Sequence, residues 1–522
     1  MNSPYNRRQF LAEVGRGMLV ASVGYATASD LGFAQGFAAE APPPLEFGPL
    51  EPLVQFMQET PPAKLLPALT SKLKGGESLQ KLVAAAAFAN ARTFGGEDYI
   101  GFHTMMALAP AYHMSAELPE SLRPLPIFKV LYRNTNHIQE QGGRKSEVLH
   151  AVAIPASDGP AANAESLREA VRRKDVASAE ATFAALSKKA TPDDMLNQLL
   201  LTVEDHAEVH RVVLPYRAWD LMDLIGKDQA ETLLRQSVRY CVKAESWSSS
   251  ANGGDPQKFL PKLLEDHKLL DRAPGTRVAD DAFVDQLSQT IFKATPEDAA
   301  AAAANALAEG FSPSAIGEAV SLAANQLILR DAGRPPGQEF VGAPPGSVHG
   351  ASVGVHACDS ACAWRNLARV SNARNTFACI ILGAYQVARD RHARGDDLFF
   401  NWEPLPVQYH LKAIKAKDAT GLLAEADEAI RQNMQGHAAA IAHRYGELNF
   451  EPRPLFDQLL KYAISEDGSL HAEKFYRTVV EEFTSTRPSL RWRHITALAR
   501  VTASEYGHPA PGMAEARELL KV

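Results

Sequence analysis

Cysteine is scarce in this chain. Four residues, Cys241, Cys358, Cys362 and Cys379, cannot staple 522 residues into a disulfide scaffold. No Cys-x-x-Cys-His occurs, which excludes covalent attachment of a c-type haem. Basic charge is in deficit: 54 Lys and Arg stand against 61 Asp and Glu, a net charge of −7. Setting aside residues 1–28, with Arg7, Arg8, Arg16 and Glu13, brings it to about −9. That balance argues against a nucleic-acid partner, which would favour a basic face. Long apolar runs are missing too. No segment offers the roughly eighteen uncharged apolar residues of a membrane span, so no stable membrane insertion is expected after processing. Alternating β-type patterning is nearly absent, with Val148 to Ile154 the best short stretch. No Gly-x-Gly-x-x-Gly follows a strand, and neither a phosphate-binding P-loop nor a Gly-x-Ser-x-Gly elbow occurs. The usual organic cofactors therefore leave no recognisable motif.

What is present begins at the N-terminus. Asn6-Arg7-Arg8-Gln9-Phe10-Leu11 leads into a modest apolar stretch and the small residues Ala26-Thr27-Ala28. A paired arginine, a Phe-Leu step and a small-x-small cleavage site resemble a twin-arginine export signal. Gly15, Arg16, Gly17 and Gly24 break the apolar run too often for an anchor. The resemblance implies recognition by the twin-arginine export machinery and a periplasmic or otherwise exported protein. Cargo of that route often folds around a cofactor before crossing. Cleavage is expected after Ala28, with Ala39 as the other small-rich site. Residues 29–61, including Pro42-Pro43-Pro44, read as a linker.

From residue 62 to 522 the pattern is helical. Leu65, Leu66 and Leu69 recur at helical spacing, as do Leu199, Leu200 and Val203 and later Leu459, Leu460 and Ala463. Thr191-Pro192-Asp193-Asp194 and Thr295-Pro296-Glu297-Asp298 each place an N-cap threonine, a first-turn proline and acidic residues at a helix start. These two segments lie roughly one hundred residues apart and each is followed by a second helix, around Val209–Leu214 and Ile316–Leu322. Glu77 to His113 fits the same plan, with a break at Gly95-Gly96. The fold expected is all-α, a multi-helix array of helical pairs that is repeat-like. Two stretches interrupt it. The Pro- and Gly-rich residues 332–346 are a candidate division of the domain. Residues 395–410, with Phe399, Phe400 and Trp402, are a candidate pocket wall or packed loop.

Histidines supply the candidate chemistry. His206 and His210 are four apart, and on one helix they would share a face and grip one metal ion. The pair is not the zinc-protease His-Glu-x-x-His, because Ala207 follows the first histidine. His349 and His356 are seven apart, two helical turns on one face, with Gly350 and Gly354 between and around them and Asp359 one turn after His356. A buried small-residue helix fits that segment equally well. His103 falls in the second helix of the first pair, as His206 and His210 do in the next. If the pairs stack, these imidazoles line one concave face. The expected metal ligands are therefore His103, His206, His210, His349 and His356, holding a transition metal ion: iron, copper or zinc. His113 and His137 lie near the first group. His437 and His443 do not share a face well, and His150, His267, His392, His410, His471, His494 and His508 read as structural or solvated. The Glu-x-x-His pairs of carboxylate-bridged diiron bundles are absent.

Phe102-His103-Thr104-Met105-Met106-Ala107-Leu108 and Val348-His349-Gly350-Ala351 resemble segments of the questin oxidase-like family. That resemblance implies an all-helical, histidine-containing protein, some of whose relatives take part in oxygen-dependent ring cleavage of aromatic polyketides. It carries over no catalytic residue. The function expected is an exported metal-dependent oxidoreductase acting on a small organic substrate. The alternatives are a non-catalytic periplasmic helical-repeat binding protein and a zinc-dependent hydrolase.

Overall fold

A computed structural model describes residues 43–152, 162–246, 255–339, 342–392 and 403–522. The proposed export signal lies outside the described residues, as do Phe399, Phe400 and Trp402. Among the described residues there are 23 α-helices and no strand. The alternating stretch from Val148 forms no strand over its described part; Val148 and Leu149 instead donate their N–H groups to Arg92 O. None of these helices is long and apolar enough to cross a membrane.

The helices around the centre are α1 (Leu79–Phe94), α2 (Tyr99–Ala116), α3 (Pro124–Glu140), α4 (Pro192–Val203), α5 (Val209–Ile225), α6 (Ala230–Ala244), α7 (Pro313–Leu329), α8 (Val353–Val370), α9 (Ala373–His392), α10 (His471–Ser485) and α11 (Trp492–Glu505). The three helical pairs read from the chain are present as α1 with α2, α4 with α5, and Pro296–Ala308 with α7. Both Thr-Pro starts behave as caps. Thr191 Oγ1 accepts from the N–H of Asp194 at 3.2 Å, and Thr295 Oγ1 from that of Asp298 at 3.2 Å. The break between α1 and α2 is made by Gly95 at φ +56, a left-handed C-terminal stop.

Four helices pack in a closed ring: α2 on α5, α5 on α8, α8 on α10, and α10 back on α2. A second layer backs them. α1 and α3 cover α2, α6 covers α5, α7 and α9 cover α8, and α11 covers α10. α1 is buried continuously from Leu82 to Phe94, and its buried polar residues are paired, Asn90 with Asn134 and Arg92 with Glu51. Each large core side chain, such as Met106, Leu214 or Phe377, stabilises the fold by roughly 1.5–3 kcal/mol through burial. α7 and α8 approach so closely that a Cβ at Gly354 would lie 2.6 Å from Ile328 Cγ1 and 2.9 Å from its backbone N. Glycine is required there by packing.

Three sequence expectations change shape. The helical part begins before residue 62: Glu51–Glu59 is a helix that buries Val54 and Met57, and Phe47 stacks on Phe88 with centroids 4.6 Å apart. The Pro- and Gly-rich stretch at 332–346 does not divide the helices, since Glu46–Val522 forms one unit. It closes on itself instead, through Arg334 N–H to Ser347 O and Gly346 N–H to Arg334 O. Finally, residues 349–352 are not helical. Gly350 has φ +64, and α8 starts only at Val353, so His349 and His356 do not lie on one helix.

Candidate metal centre

Each helix of the inner ring contributes one histidine from near its N-terminus. His103 is in the second turn of α2, His210 and His356 in the first turns of α5 and α8, and His471 opens α10. The residues just before them explain the placement. Asp98 caps α2 by accepting from Gly101 N–H at 2.6 Å, Glu208 caps α5 from Arg211 N–H at 3.0 Å, and Ser352 caps α8 from Val355 N–H at 3.3 Å. α10 starts differently. Gly468, Ser469 and Leu470 have φ of +50, +50 and +66, three successive left-handed residues. For Ser469 and above all Leu470 this conformation is strained, by about 1–3 kcal/mol each, and such strain concentrates at functional sites. Gly468 is favoured by its φ of +50 and by its surroundings, since a Cβ there would lie 2.8 Å from Ala472 Cβ and meet the Glu505 carboxyl.

The four rings meet. His103 Nε2 lies 3.3 Å from His210 Nε2, and His356 Nε2 lies 3.0 Å from His471 Nε2. The ring centroids of His210 and His356 are 5.4 Å apart, and those of His103 and His471 are 5.1 Å apart. One ligand nitrogen from each of His103, His210 and His356 falls within 4.8 Å of the other two, so this group could hold a metal ion. The outer nitrogens are fixed. His103 Nδ1 donates to Tyr99 O at 2.7 Å, His210 Nδ1 to Glu208 Oε1 at 2.8 Å, and His471 Nδ1 to Ser469 O at 3.1 Å. Carbonyl and carboxylate oxygens only accept, so each of these rings carries a proton on Nδ1 and turns its Nε2 inward. His103 Nε2 and His210 Nε2 then face each other at 3.3 Å, a separation that either a proton on one of them or a shared metal ion accounts for. Separations of 3.0 and 3.3 Å also match the edges of a polyhedron with metal–nitrogen distances of about 2.0–2.1 Å.

The surroundings favour neutral rings. His103 and His471 are buried, at 2 % and 3 % exposure. Burial, the nearby Lys474 ammonium and the neighbouring imidazoles hold both well below the usual imidazole value. Burial, His210 and Lys474 do the same for His356. Lys474 itself is pushed down to about 8 by burial, against the pull of Asp359 and Glu473. Neutral imidazoles are the form that binds a metal. Tyr99 and Phe102 flank the His103 ring at centroid distances of 4.4 and 4.9 Å, and Phe102 also lies 5.0 Å from the His210 ring.

Glu208 ties two helices together through one carboxylate. It caps α5, accepts from His210 Nδ1, and accepts from Tyr240 Oη of α6 at 2.8 Å. Desolvation alone would raise its pKa, but His210 and Tyr240 more than reverse this and hold it at about 2. A carboxylate behind a ligating histidine orients the ring and raises its basicity. Glu208→Gln is therefore expected to weaken metal binding roughly 10–100-fold while the protein stays folded. Competition with a chelator of known affinity measures it; unchanged affinity would remove Glu208 from the account.

Of the residues expected as ligands, His103, His210 and His356 come together, and His206 and His349 do not. α4 ends at Val203 and α5 begins at Val209, so His206 sits in the bend between helices and cannot share a face with His210. Its Nε2 pairs with Glu245 Oε2 at 3.1 Å. His349 is tied by Nδ1 to Ser504 Oγ at 2.8 Å and by Nε2 to Gly342 O at 2.5 Å, leaving no free nitrogen. The rings converge in the interior and line no open concave face. His471, read from the chain as structural or solvated, stands in the cluster. His113 pairs with Asp220 at 2.9 Å, away from the cluster, and His137 pairs at 2.6 Å with Asp98, the residue that caps α2.

No family model matches this chain, and neither curated proteins nor solved structures provide a match.

Proposed function

We propose that this chain is an exported, metal-dependent oxidoreductase acting on a small organic substrate, with His103, His210, His356 and His471 holding a redox-active iron or copper ion. The observation that carries the reading is the convergence of His103, His210 and His356, one ligand nitrogen of each lying within 4.8 Å of the other two, with His103 and His210 held inward by hydrogen bonds on the other side of their rings. The donors that converge as the structure stands are His103, His210 and His356. With His471 3.0 Å from His356 as a fourth, iron or copper keeps open positions, whereas zinc would be closed by four imidazoles and open to water with three. The ion would supply electron exchange with substrate. The chain's own residues hold the rings, and Tyr99, Phe102 and Tyr240 shield them from water.

The export reading belongs to the same proposal. A centre built from helices far apart in sequence must be loaded and folded as a whole, which suits the twin-arginine resemblance at Arg7-Arg8. The likeness of the segments around His103 and His349 to the questin oxidase-like family points the same way, toward oxygen-dependent chemistry. Metal analysis of protein folded in cells tests the redox reading. Stoichiometric iron or copper is the expected result; zinc alone would turn the centre toward a structural or hydrolytic role.

A further inference from the structure

Lys474 stands on α10 three residues after His471, and side chains three apart share one face of a helix. The next contact along that face shows where it points. Thr478, one turn beyond Lys474, donates its hydroxyl to Asp359 Oδ1 at 2.9 Å, and Asp359 lies one turn beyond His356 on α8. Lys474 therefore sits between His471 and Thr478 on the side of α10 that meets α8. Its ammonium acts on the centre directly, lowering the proton affinity of His103, His356 and His471 alike.

This lysine is 2 % exposed, yet among the described residues it makes no hydrogen bond and no ion pair. Lys129 shows the usual solution for a buried ammonium. It donates to Ala463 O at 2.8 Å and to Glu466 O, and it pairs with Glu473 at 2.8 Å. The carboxylates near Lys474 are engaged elsewhere: Glu473 by Lys129, and Glu481 by Arg217 at 3.3 Å and Arg477 at 2.7 Å. Asp359 attracts Lys474 but stays beyond ion-pair distance. A buried charge without a partner is strongly disfavoured, so this one calls for an anion brought from outside.

The centre itself makes the same demand. Helices α2, α5, α8 and α10 bring their N-terminal turns to the four rings, and each turn carries partial positive charge. A metal ion on neutral imidazoles adds to that charge, and Glu208 behind His210 offsets only part of it. We propose that Lys474 is the substrate-holding residue of this centre, and that the substrate is a small carboxylate, one oxygen accepting from the Lys474 ammonium and the other facing the histidine-held ion. The proposal rests on the metal reading above. A carboxylate is ionised at neutral pH and offers two accepting oxygens, so a single group answers both cations. The centre is reachable on the α5 side, where the Glu208 side chain is 33 % exposed and that of His210 11 %. Lys474 binds and orients the substrate, and no covalent bond forms at its nitrogen.

The test uses the full-length, cobalt(II)-loaded protein and two probes of matched shape, acetate and uncharged acetamide. Acetate should shift the visible spectrum of the cobalt(II) ion saturably, and acetamide should leave it unmoved. Lys474→Gln should weaken acetate at least tenfold with cobalt content unchanged, and Lys474→Arg should restore part of that affinity. Lys474→Met, similar in length and apolar, serves if the glutamine variant does not fold. The melting temperature should hold or rise in the uncharged variants, because a buried charge without a partner has been removed. A spectrum that acetate leaves unmoved, an equal response to acetamide, or undiminished acetate affinity in Lys474→Gln would each overturn the proposal. Protein that takes up no cobalt contradicts the metal reading and this proposal with it. Loaded protein that responds to neither probe contradicts only the role of Lys474.

Discussion

Replacing His210 with alanine is expected to strip the protein of its metal, whereas His206→Ala leaves the metal content as it was. The two histidines look equivalent in the chain, yet they stand in different surroundings. His210 Nε2 faces His103 Nε2 at 3.3 Å, and its Nδ1 is locked by Glu208. His206 pairs with Glu245 on a ring that is 26 % exposed. Removing an inward nitrogen takes away a bond to the ion itself. The loss should exceed the roughly 10–100-fold that follows from removing an outer partner of a ligand. Removing His206 breaks one partly exposed ion pair, which contributes about 1 kcal/mol or less. Metal per chain in the two purified variants, with melting curves to confirm folding, decides it. His471→Ala should behave like His210→Ala. If all three variants kept their metal, or all three lost it, the four-histidine assignment would fail.

The second large effect is acid lability of the metal-free protein. Burial holds His103, His356 and His471 well below the ordinary imidazole value, and burial with Arg365 and Arg493 pushes His494 down to about 3. In the unfolded chain each of these rings takes a proton near pH 6.5. Below that pH the unfolded state therefore binds more protons than the folded one, and stability falls as the solution is acidified. Buried carboxyls work in the other direction: burial raises Asp359 and Glu231, raises Asp390 to about 7 and raises Glu505 to about 8. They keep protons in the folded state that the unfolded chain releases above about pH 4. With His349 also held down by burial, the histidines outweigh these carboxyls, and stability is expected to fall between pH 6 and 5. Urea unfolding at pH 7.5, 6 and 5 measures this. Bound metal should delay the loss, because the ion excludes protons from the rings until it is released. Stability that held level or rose on acidification would contradict the neutral, buried state of the rings.

The helices were open to reading because their signals are local. Thr191-Pro192 and Thr295-Pro296 declare helix starts within four residues, and Gly95 declares a stop. The centre was readable only in part. His103 and His356 were visible as histidines on apolar helices, and their partnership with His210 needed no more than a guess about stacking. His206 misled because a four-residue spacing implies a common face only if the helix runs through it. Glu208 interrupts it by serving as an N-cap, a role that a single polar residue before Val209-His210-Arg211 announces weakly. His471 was invisible for another reason. No histidine lies near it in sequence, and its position depends on the left-handed turn Gly468–Leu470 and on packing of α10 against α2 and α8. His349 shows the converse, since two good hydrogen bonds from distant segments satisfy a ring that the chain presents as available. Long-range closure of the four-helix ring selects the ligands, and no spacing rule within one helix contains it.

Anomalous X-ray diffraction from crystals of the metal-loaded protein tests the central claim most directly. The account predicts one strong peak enclosed by the four inner-ring helices, about 2.0–2.3 Å from the Nε2 atoms of His103, His210, His356 and His471. A peak beside His206 and Glu245, a peak at the surface, or metal-loaded crystals with no peak between these rings would contradict it.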